Sequence, residues 1–307
     1  MSMPTRDDYV VAIQDPANIA LPLLHNMRLA CTDNAPRVWT GAFGIVFRFE
    51  RNDGTARAVK CFTSTHRTRA ERYEAISEHL DRVFFQNHPL TRYLANTLYM
   101  RQGIRVQGKW RPLLLMDWVD GVFIDEYVGA LVENEDAGRR VAETADQWIE
   151  MVFALRGAQV AHGDLQHGNV LITPSGDMKL IDYDGLCVPT LANRYVMEGG
   201  HQNYQHPART LRFDENLDAF SALVILTALT AVSLQPGLWR HYYKGNNMLF
   251  VESDFQAPDT SPLFHDLERI GDSRLLYLTR ELRKACATRD ASAVKAFEEI
   301  VAALSGQ

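Results

Sequence analysis

His162-Gly163-Asp164-Leu165-Gln166-His167-Gly168-Asn169, followed by Ile181-Asp182-Tyr183-Asp184, sets two aspartates and an asparagine at a fixed separation. Its spacing is D-x4-N-x12-D. A carboxylate at Asp164 can take the proton of an acceptor hydroxyl. Asn169 and Asp182 supply oxygens of the kind a hard cation prefers, and magnesium arriving on a nucleotide triphosphate keeps only one or two ligands from protein. The apolar runs Val170-Leu171-Ile172 and Met178-Lys179-Leu180-Ile181 predict two short strands, with Pro174-Ser175-Gly176-Asp177 as the turn between them. An isolated HGD or DxD triplet is common by chance and is usually a solvated loop. The joint spacing, set around a two-strand pattern, points instead to phosphotransfer.

Outward from this stretch, the chain changes character. Residues 37–62 predict three strands, Arg37 to Trp39, Ile45 to Glu50 and Ala56 to Phe62, with Asn52-Asp53-Gly54 turning between the last two. A helical pattern over 67–85 puts Tyr73, Ile76, Leu80, Val83 and Phe84 on one side. Strands follow at about 97–106 and 111–118. Beyond them the pattern is helical: 136–157, then the motif strands, then helices from Asn216 onward. A strand-rich first third before a helix-rich remainder predicts an α+β protein with a small β lobe carrying one long helix and a larger α lobe. The expected division is 1–36 as an extension, 37–120 as the small lobe and 121–307 as the large one. Residues 1–36, broken by Asp15-Pro16, Leu21-Pro22 and Ala35-Pro36, are ambiguous between a brace for the small lobe and a partner arm.

Composition bounds the function class. The 307 residues, 46% hydrophobic, can bury two substantial cores. A net charge of −6 without a basic stripe speaks against nucleic acid as partner. Cys31, Cys61, Cys187 and Cys286 lie far apart with no metal-ligand spacing, which fits a reduced cytoplasmic setting. The N-terminus is no secretory signal, and the apolar run Ala219 to Leu234, interrupted by hydroxyl residues, reads as a core helix and not a membrane span.

The strand-rich third offers a nucleotide side. Thr40-Gly41-Ala42-Phe43-Gly44-Ile45-Val46 lies between two strands, and its glycines would let backbone N–H groups approach phosphates. A glycine hairpin alone is more often a plain turn. Its weight comes from Ala58-Val59-Lys60, with Lys60 16 residues after Gly44 and well placed for the α- and β-phosphates. Such a lysine needs an orienting glutamate. Glu71, Glu74 and Glu78 form one stripe on the helix, ordinarily its solvated face; Glu78 is favoured and Glu74 stays open. Leu113 to Gly121 reads as a buried strand leaving through a linker, with Met116 at the back of an adenine pocket and the backbone of Asp117 and Trp118 along the base edge. A plain core strand and turn explains that segment equally well by itself.

With these residues quoted, the chain from about Val38 onward resembles the protein kinase superfamily. Ala58-Val59-Lys60 is similar to the strand-3 lysine motif, HGDLQHGN to the catalytic loop and Asp182-Tyr183-Asp184 to the magnesium-binding motif. Gly200 to Ala208 resembles the end of an activation segment, and Asp218 the buried aspartate that opens the central helix. More closely, Arg72 to Ile76, Gly103 to Val106, Asn203 to Pro207 and Asn246 to Phe250 resemble an atypical bacterial, eukaryotic-like Ser/Thr kinase group. The resemblance implies a bilobal kinase-like fold, ATP and Mg2+ as cofactors, and a protein substrate. It implies Asp164 as base, Lys60 and Gln166 as catalytic companions, a nucleotide site of Gly41, Ala42, Phe43, Gly44, Val46, Ala58, Lys60, Glu78, Met116, Asp117 and Trp118, and Asn169 and Asp182 as metal ligands. In that group the gene often neighbours a metal-dependent protein phosphatase and a von Willebrand-type protein, which makes both candidate partners.

The departures are specific. Trp39 stands at the first loop glycine, Gly163 at an arginine that anchors phosphorylated segments, and neutral Gln166 at a lysine that steadies the γ-phosphate. Asp184 stands at a glycine, His201 at a threonine that contacts the base, and Ala208 at a glutamate. Three functions stay open. The first is a protein Ser/Thr kinase; the second is a hydroxyl kinase of the aminoglycoside or choline kinase type, toward which Gly163, Gln166 and His167-Gly168 lean. The third is a nucleotide-binding pseudokinase scaffold. Residues 235–275, rich in aromatic and basic groups, read as a helix and loop packed on the large lobe, with a docking surface as the alternative.

Overall fold

The computed structural model describes residues 3–33, 35–41, 43–64, 68–192, 199–209, 216–291 and 294–304. They fall into two compact units, one formed by residues up to Arg82 together with Ala95–Val119, the other by Val83–Leu94 together with Asp120 onward. The protein is of the mixed α+β kind, with a sheet in its N-terminal region and helices dominating its C-terminal part.

The first unit contains helices α1 (Arg6–Ala12), α2 (Pro22–His25) and most of α3 (Arg69–Phe85). Its strands are β1 (Arg28–Leu29), β2 (Cys31–Thr32), β3 (Ala35–Pro36), β4 (Val38–Thr40), β5 (Gly44–Glu50), β6 (Ala56–Phe62), β7 (Thr97–Val106) and β8 (Lys109–Asp117). An antiparallel sheet runs β1-β5-β6-β8-β7, and β4 also pairs with β5. The β5–β6 hairpin closes where the sequence predicts: Gly54 takes φ +87°, and the Asp53 carboxylate accepts the Thr55 N–H at 2.8 Å. The two-residue period then sorts the side chains. Ile45, Phe47, Phe49, Val59, Cys61, Leu113 and Leu115 all enter one core. Their sheet neighbours Val46, Ala58, Lys60, Leu114 and Met116 alternate with them, so they lie on the opposite face.

That core also contains Tyr9, Ala12, Ile13, Ile19, Leu21 and Leu24. Tyr9 to Leu24, within the stretch read from sequence as an extension, therefore cover one face of the sheet. The Tyr9 hydroxyl donates to the Phe62 carbonyl oxygen at 2.8 Å, and burial pushes its phenol well above its ordinary pKa. Prolines at 16, 22 and 36 made this stretch look irregular, yet two of them open short helical turns at their first position, where a missing N–H costs nothing. On the opposite face, Phe62 meets Tyr73 edge-on at 5.4 Å and Tyr73 stacks on Tyr99 at 5.1 Å, fixing α3 there.

The second unit begins with β9 (Val122–Phe123), α4 (Ile124–Leu131) and α5 (Ala137–Gly157). The motif strands β10 (Val170–Ile172) and β11 (Met178–Leu180) follow, then α6 (Ala219–Leu234), α7 (Gly237–Tyr242), α8 (Glu252–Gln256), α9 (Pro262–Ile270), α10 (Ser273–Ala287) and α11 (Phe297–Leu304). Helix α6 is buried from Ala219 to Val232, as a sequence apolar all round apart from small hydroxyl residues demands. Trp148 of α5 is fully buried, and its indole N–H donates to the Ala222 carbonyl of α6 at 3.0 Å. Strands β10 and β11 pair in register Val170↔Leu180 to Ile172↔Met178, turning at Gly176 with φ +87°. In the aromatic stretch after 235, Trp239, Phe250, Phe255 and Phe264 are buried, and Trp239 stacks on half-buried Tyr243 at 4.5 Å. Among the described residues, no helix is long and apolar enough to cross a membrane.

Candidate active site

The loop around Asp164 is pinned from below. Asp218 occupies the N-cap of α6, but its carboxylate does not cap that helix. It accepts the His162 N–H at 2.5 Å and the Gly163 N–H at 2.9 Å instead. Burial raises the Asp218 pKa, and His162 together with these N–H donors pulls it back down. The His162 ring donates from Nε2 to the Ile181 carbonyl at 3.0 Å. Ala161 and Cys187 exchange backbone hydrogen bonds of 3.0 and 2.8 Å. Together these contacts hold residues 161–164 against 181–187.

Asp164 is half-buried and its carboxylate is fixed at both oxygens. Oδ1 accepts the His201 N–H at 2.8 Å. Oδ2 accepts the Asn169 amide at 3.1 Å and the Gln166 amide at 3.3 Å. Asn169 also donates to the Asp164 carbonyl at 2.8 Å. With its nitrogen committed twice, the Asn169 amide presents its oxygen away from Asp164. Two donors fill Oδ2, whereas Oδ1 keeps a lone pair. Gly200 sits beside that oxygen with φ +72°; a Cβ there would stand 3.1 Å from Oδ1 and closer still to the Gln205 amide, so only glycine fits.

Asp182 follows directly. The Ile181 N–H donates to the Asn169 carbonyl at 3.0 Å, which sets Asp182 one residue beyond that pairing. Its φ of +60° is unusual for a residue with a side chain, and Asp182 is exposed between half-buried Ile181 and buried Tyr183. Tyr183 and Asp184 are buried. The structure brings Asp164, Gln166, Asn169 and Asp182 into one loop system. Among the described residues, no group of three or more His, Cys, Asp and Glu could hold a metal by itself. An exposed carboxylate and an oriented amide oxygen do fit a magnesium ion that arrives with phosphates and takes only one or two protein ligands.

Further groups surround the loop. The His167 Nδ1 lies 2.6 Å from the Tyr204 hydroxyl, and its Nε2 lies 4.0 Å from Asp125. The His201 ring meets both His167 and Tyr204 edge-on. Burial holds the pKa of His167 and of His201 below the ordinary imidazole value. Asp125 and Arg209 lie outside every motif quoted above, and Tyr204 and Gln205 lie within Asn203 to Pro207 with no role assigned there. None lies in the catalytic triplets, and only the tertiary fold brings them there.

In the first unit, Val46, Ala58, Lys60 and Met116 share a sheet face, with Val46 opposite Lys60 and Ala58 opposite Met116. Lys60 is only 8% exposed, so its ammonium is held off solvent. Gly44 is required where β5 meets β6, because a Cβ would stand 2.5 Å from the Cys61 carbonyl oxygen. The Gly41 N–H closes the turn onto the Gly44 carbonyl at 2.9 Å, so it is already engaged; Phe43 is partly buried, and Ala42 lies outside the described residues.

Two expected nucleotide-site groups make contacts of their own. Glu78 is exposed on α3, and Glu74 forms an ion pair with Arg101. The N–H groups of Asp117 and Trp118 donate to the Asn96 and Ala56 carbonyls at 3.0 and 3.2 Å. The Asp117 side chain is tied to Arg57 at 2.9 Å. Trp118 instead offers its ring, packed against Trp39 at 4.8 Å with Arg48 over it at 4.9 Å. Trp39, opposite Val46, shares the face of Lys60.

No protein-family model matches the chain, and no curated protein matches it in sequence.

Proposed function

We propose that the chain is an ATP- and magnesium-dependent phosphotransferase with a bilobal protein-kinase-like fold, acting on protein serine or threonine hydroxyls. One observation carries the reading: Asp164 is oriented by Asn169, Gln166 and the His201 N–H, yet Oδ1 retains a lone pair beside Gly200. An acceptor hydroxyl donating to that oxygen would be aimed by it and would pass its proton there as the new P–O bond forms. Asn169 and Asp182 would supply the protein oxygens to magnesium. Bound magnesium would contribute charge neutralisation at the transferring phosphoryl group. Lys60 would hold the nucleotide phosphates, and Val46, Ala58 and Met116 would contact the base. Gln166, being neutral, would steady the loop through Asp164 and not the γ-phosphate through charge.

The ring enclosure of His167, His201 and Tyr204 beside Asp164 favours a second reading, a small-alcohol acceptor of the aminoglycoside or choline type. The test is transfer from labelled ATP to a general protein substrate against a panel of amino-alcohols. Label on serine or threonine supports the first reading. Label confined to the small molecules sinks it in favour of the second.

A further inference from the structure

Gly163 has no room for a side chain. Its φ is +79°, and a Cβ would run into the carbonyl oxygen of Gly185. The loop therefore cannot carry an arginine next to its base. An arginine nevertheless reaches this position from elsewhere in the chain. The Arg209 Nη2 donates to the Gly163 carbonyl oxygen at 2.5 Å. That carbonyl belongs to the peptide joining Gly163 to Asp164, so the guanidinium fixes the plane from which Asp164 departs. The preceding peptide is held through its N–H by Asp218 at 2.9 Å. Successive peptides before Asp164 are thus held by opposite charges, a carboxylate on a donor and a guanidinium on an acceptor.

The other arm of the guanidinium closes a circuit. The Arg209 Nη1 donates to the Gln205 Oε1. The Gln205 amide lies against Gly200, and the next residue, His201, donates its N–H to Asp164 Oδ1 at 2.8 Å. Arg209 therefore touches both the peptide behind Asp164 and the segment in front of it. A lysine could not do both, since its ammonium is a point donor on a flexible stem, whereas the guanidinium is a rigid fork.

We propose that Arg209 is a positioning residue for Asp164, and that it keeps residues 199–209 seated on the catalytic loop without any phosphate on the segment. The proposal rests on the phosphotransferase reading above and adds how that site is held competent.

The experiment compares wild type, Arg209→Ala and Arg209→Lys in the full chain. Turnover of labelled ATP is measured before and after treatment with a broad Ser/Thr phosphatase. Amide hydrogen exchange is followed over residues 160–166 and 199–205. The expected result is kcat reduced by roughly 10- to 100-fold in both variants, with KM for MgATP within about two-fold of wild type. Exchange should be at least about ten-fold faster at those two stretches alone. Phosphatase treatment should leave wild-type kcat unchanged.

The proposal is overturned if Arg209→Lys keeps wild-type kcat, if phosphatase treatment abolishes activity, or if exchange at the two stretches does not change. Should Arg209→Ala fail to fold, the lysine variant carries the same comparison. A wild type that binds MgATP but phosphorylates no acceptor would sink the phosphotransferase reading. The exchange data would then still decide whether Arg209 seats the segment.

Discussion

Removing the Asp218 carboxylate tests the frame of the site most severely. In Asp218→Ala, two buried backbone N–H groups lose their acceptor, those of His162 and Gly163, now bonded at 2.5 and 2.9 Å. An orphaned buried donor costs ~1–3 kcal/mol, and a hydrogen bond to a charged group is worth ~1.5–3 kcal/mol. Relief of the desolvation that raises the Asp218 pKa offsets part of this. The expected loss is about 3–4 kcal/mol, or roughly 10 °C in Tm for a unit of this size. Asp218→Asn keeps one acceptor oxygen but turns its NH2 toward the other backbone N–H, so it should lose about 2–3 kcal/mol. Urea unfolding followed by circular dichroism measures both. An alanine variant within about 1 kcal/mol of wild type, or an asparagine variant worse than alanine, would refute the reasoning.

Other expectations follow from the same contacts. Ile13→Asp puts a carboxylate into the core beneath the sheet, where Ile13 is 2% exposed; the first unit should unfold, read as lost protection of β5 and β6 in hydrogen exchange. Gly200→Ala, which crowds Asp164 Oδ1, should lower kcat at least about ten-fold while MgATP affinity holds. Asp182→Asn should raise the magnesium concentration needed for half-maximal turnover, as a magnesium titration at fixed ATP would show. His201 has a depressed folded pKa, so its contribution is present above the unfolded value of 6.5 and is lost as pH falls below it. Between pH 7.5 and 5.5, wild type should therefore lose more stability than His201→Gln in parallel urea titrations.

Local signals made much of the architecture readable. The Asn52-Asp53-Gly54 turn, the alternation in Ile45 to Glu50 and the apolar run of α6 each encode an element within a few residues, and each element formed. Asp164, Asn169 and Asp182 were legible because a short loop and hairpin fix their spacing. Residues 1–36 were not, because their apolar groups are scattered between prolines and become a pattern only against the sheet they cover. The helix glutamates show the limit of spacing arguments: Glu74 and Glu78 sit one turn apart, and the position of Arg101 on β7, invisible from the helix, decides what Glu74 does. Arg209 acts through the Gly163 carbonyl and the Gln205 side chain, and such contacts leave no mark at position 209 in the sequence.

The central claim is that Asp164 is a base in a phosphotransfer reaction. The most direct measurement is magnesium-dependent transfer from labelled ATP by wild type and by Asp164→Asn, with nucleotide binding measured on the same samples. The account predicts equal binding and a loss of turnover of roughly 100-fold or more in the variant. Equal turnover in the two proteins, or nucleotide binding with none in either, would contradict it and leave a nucleotide-binding scaffold.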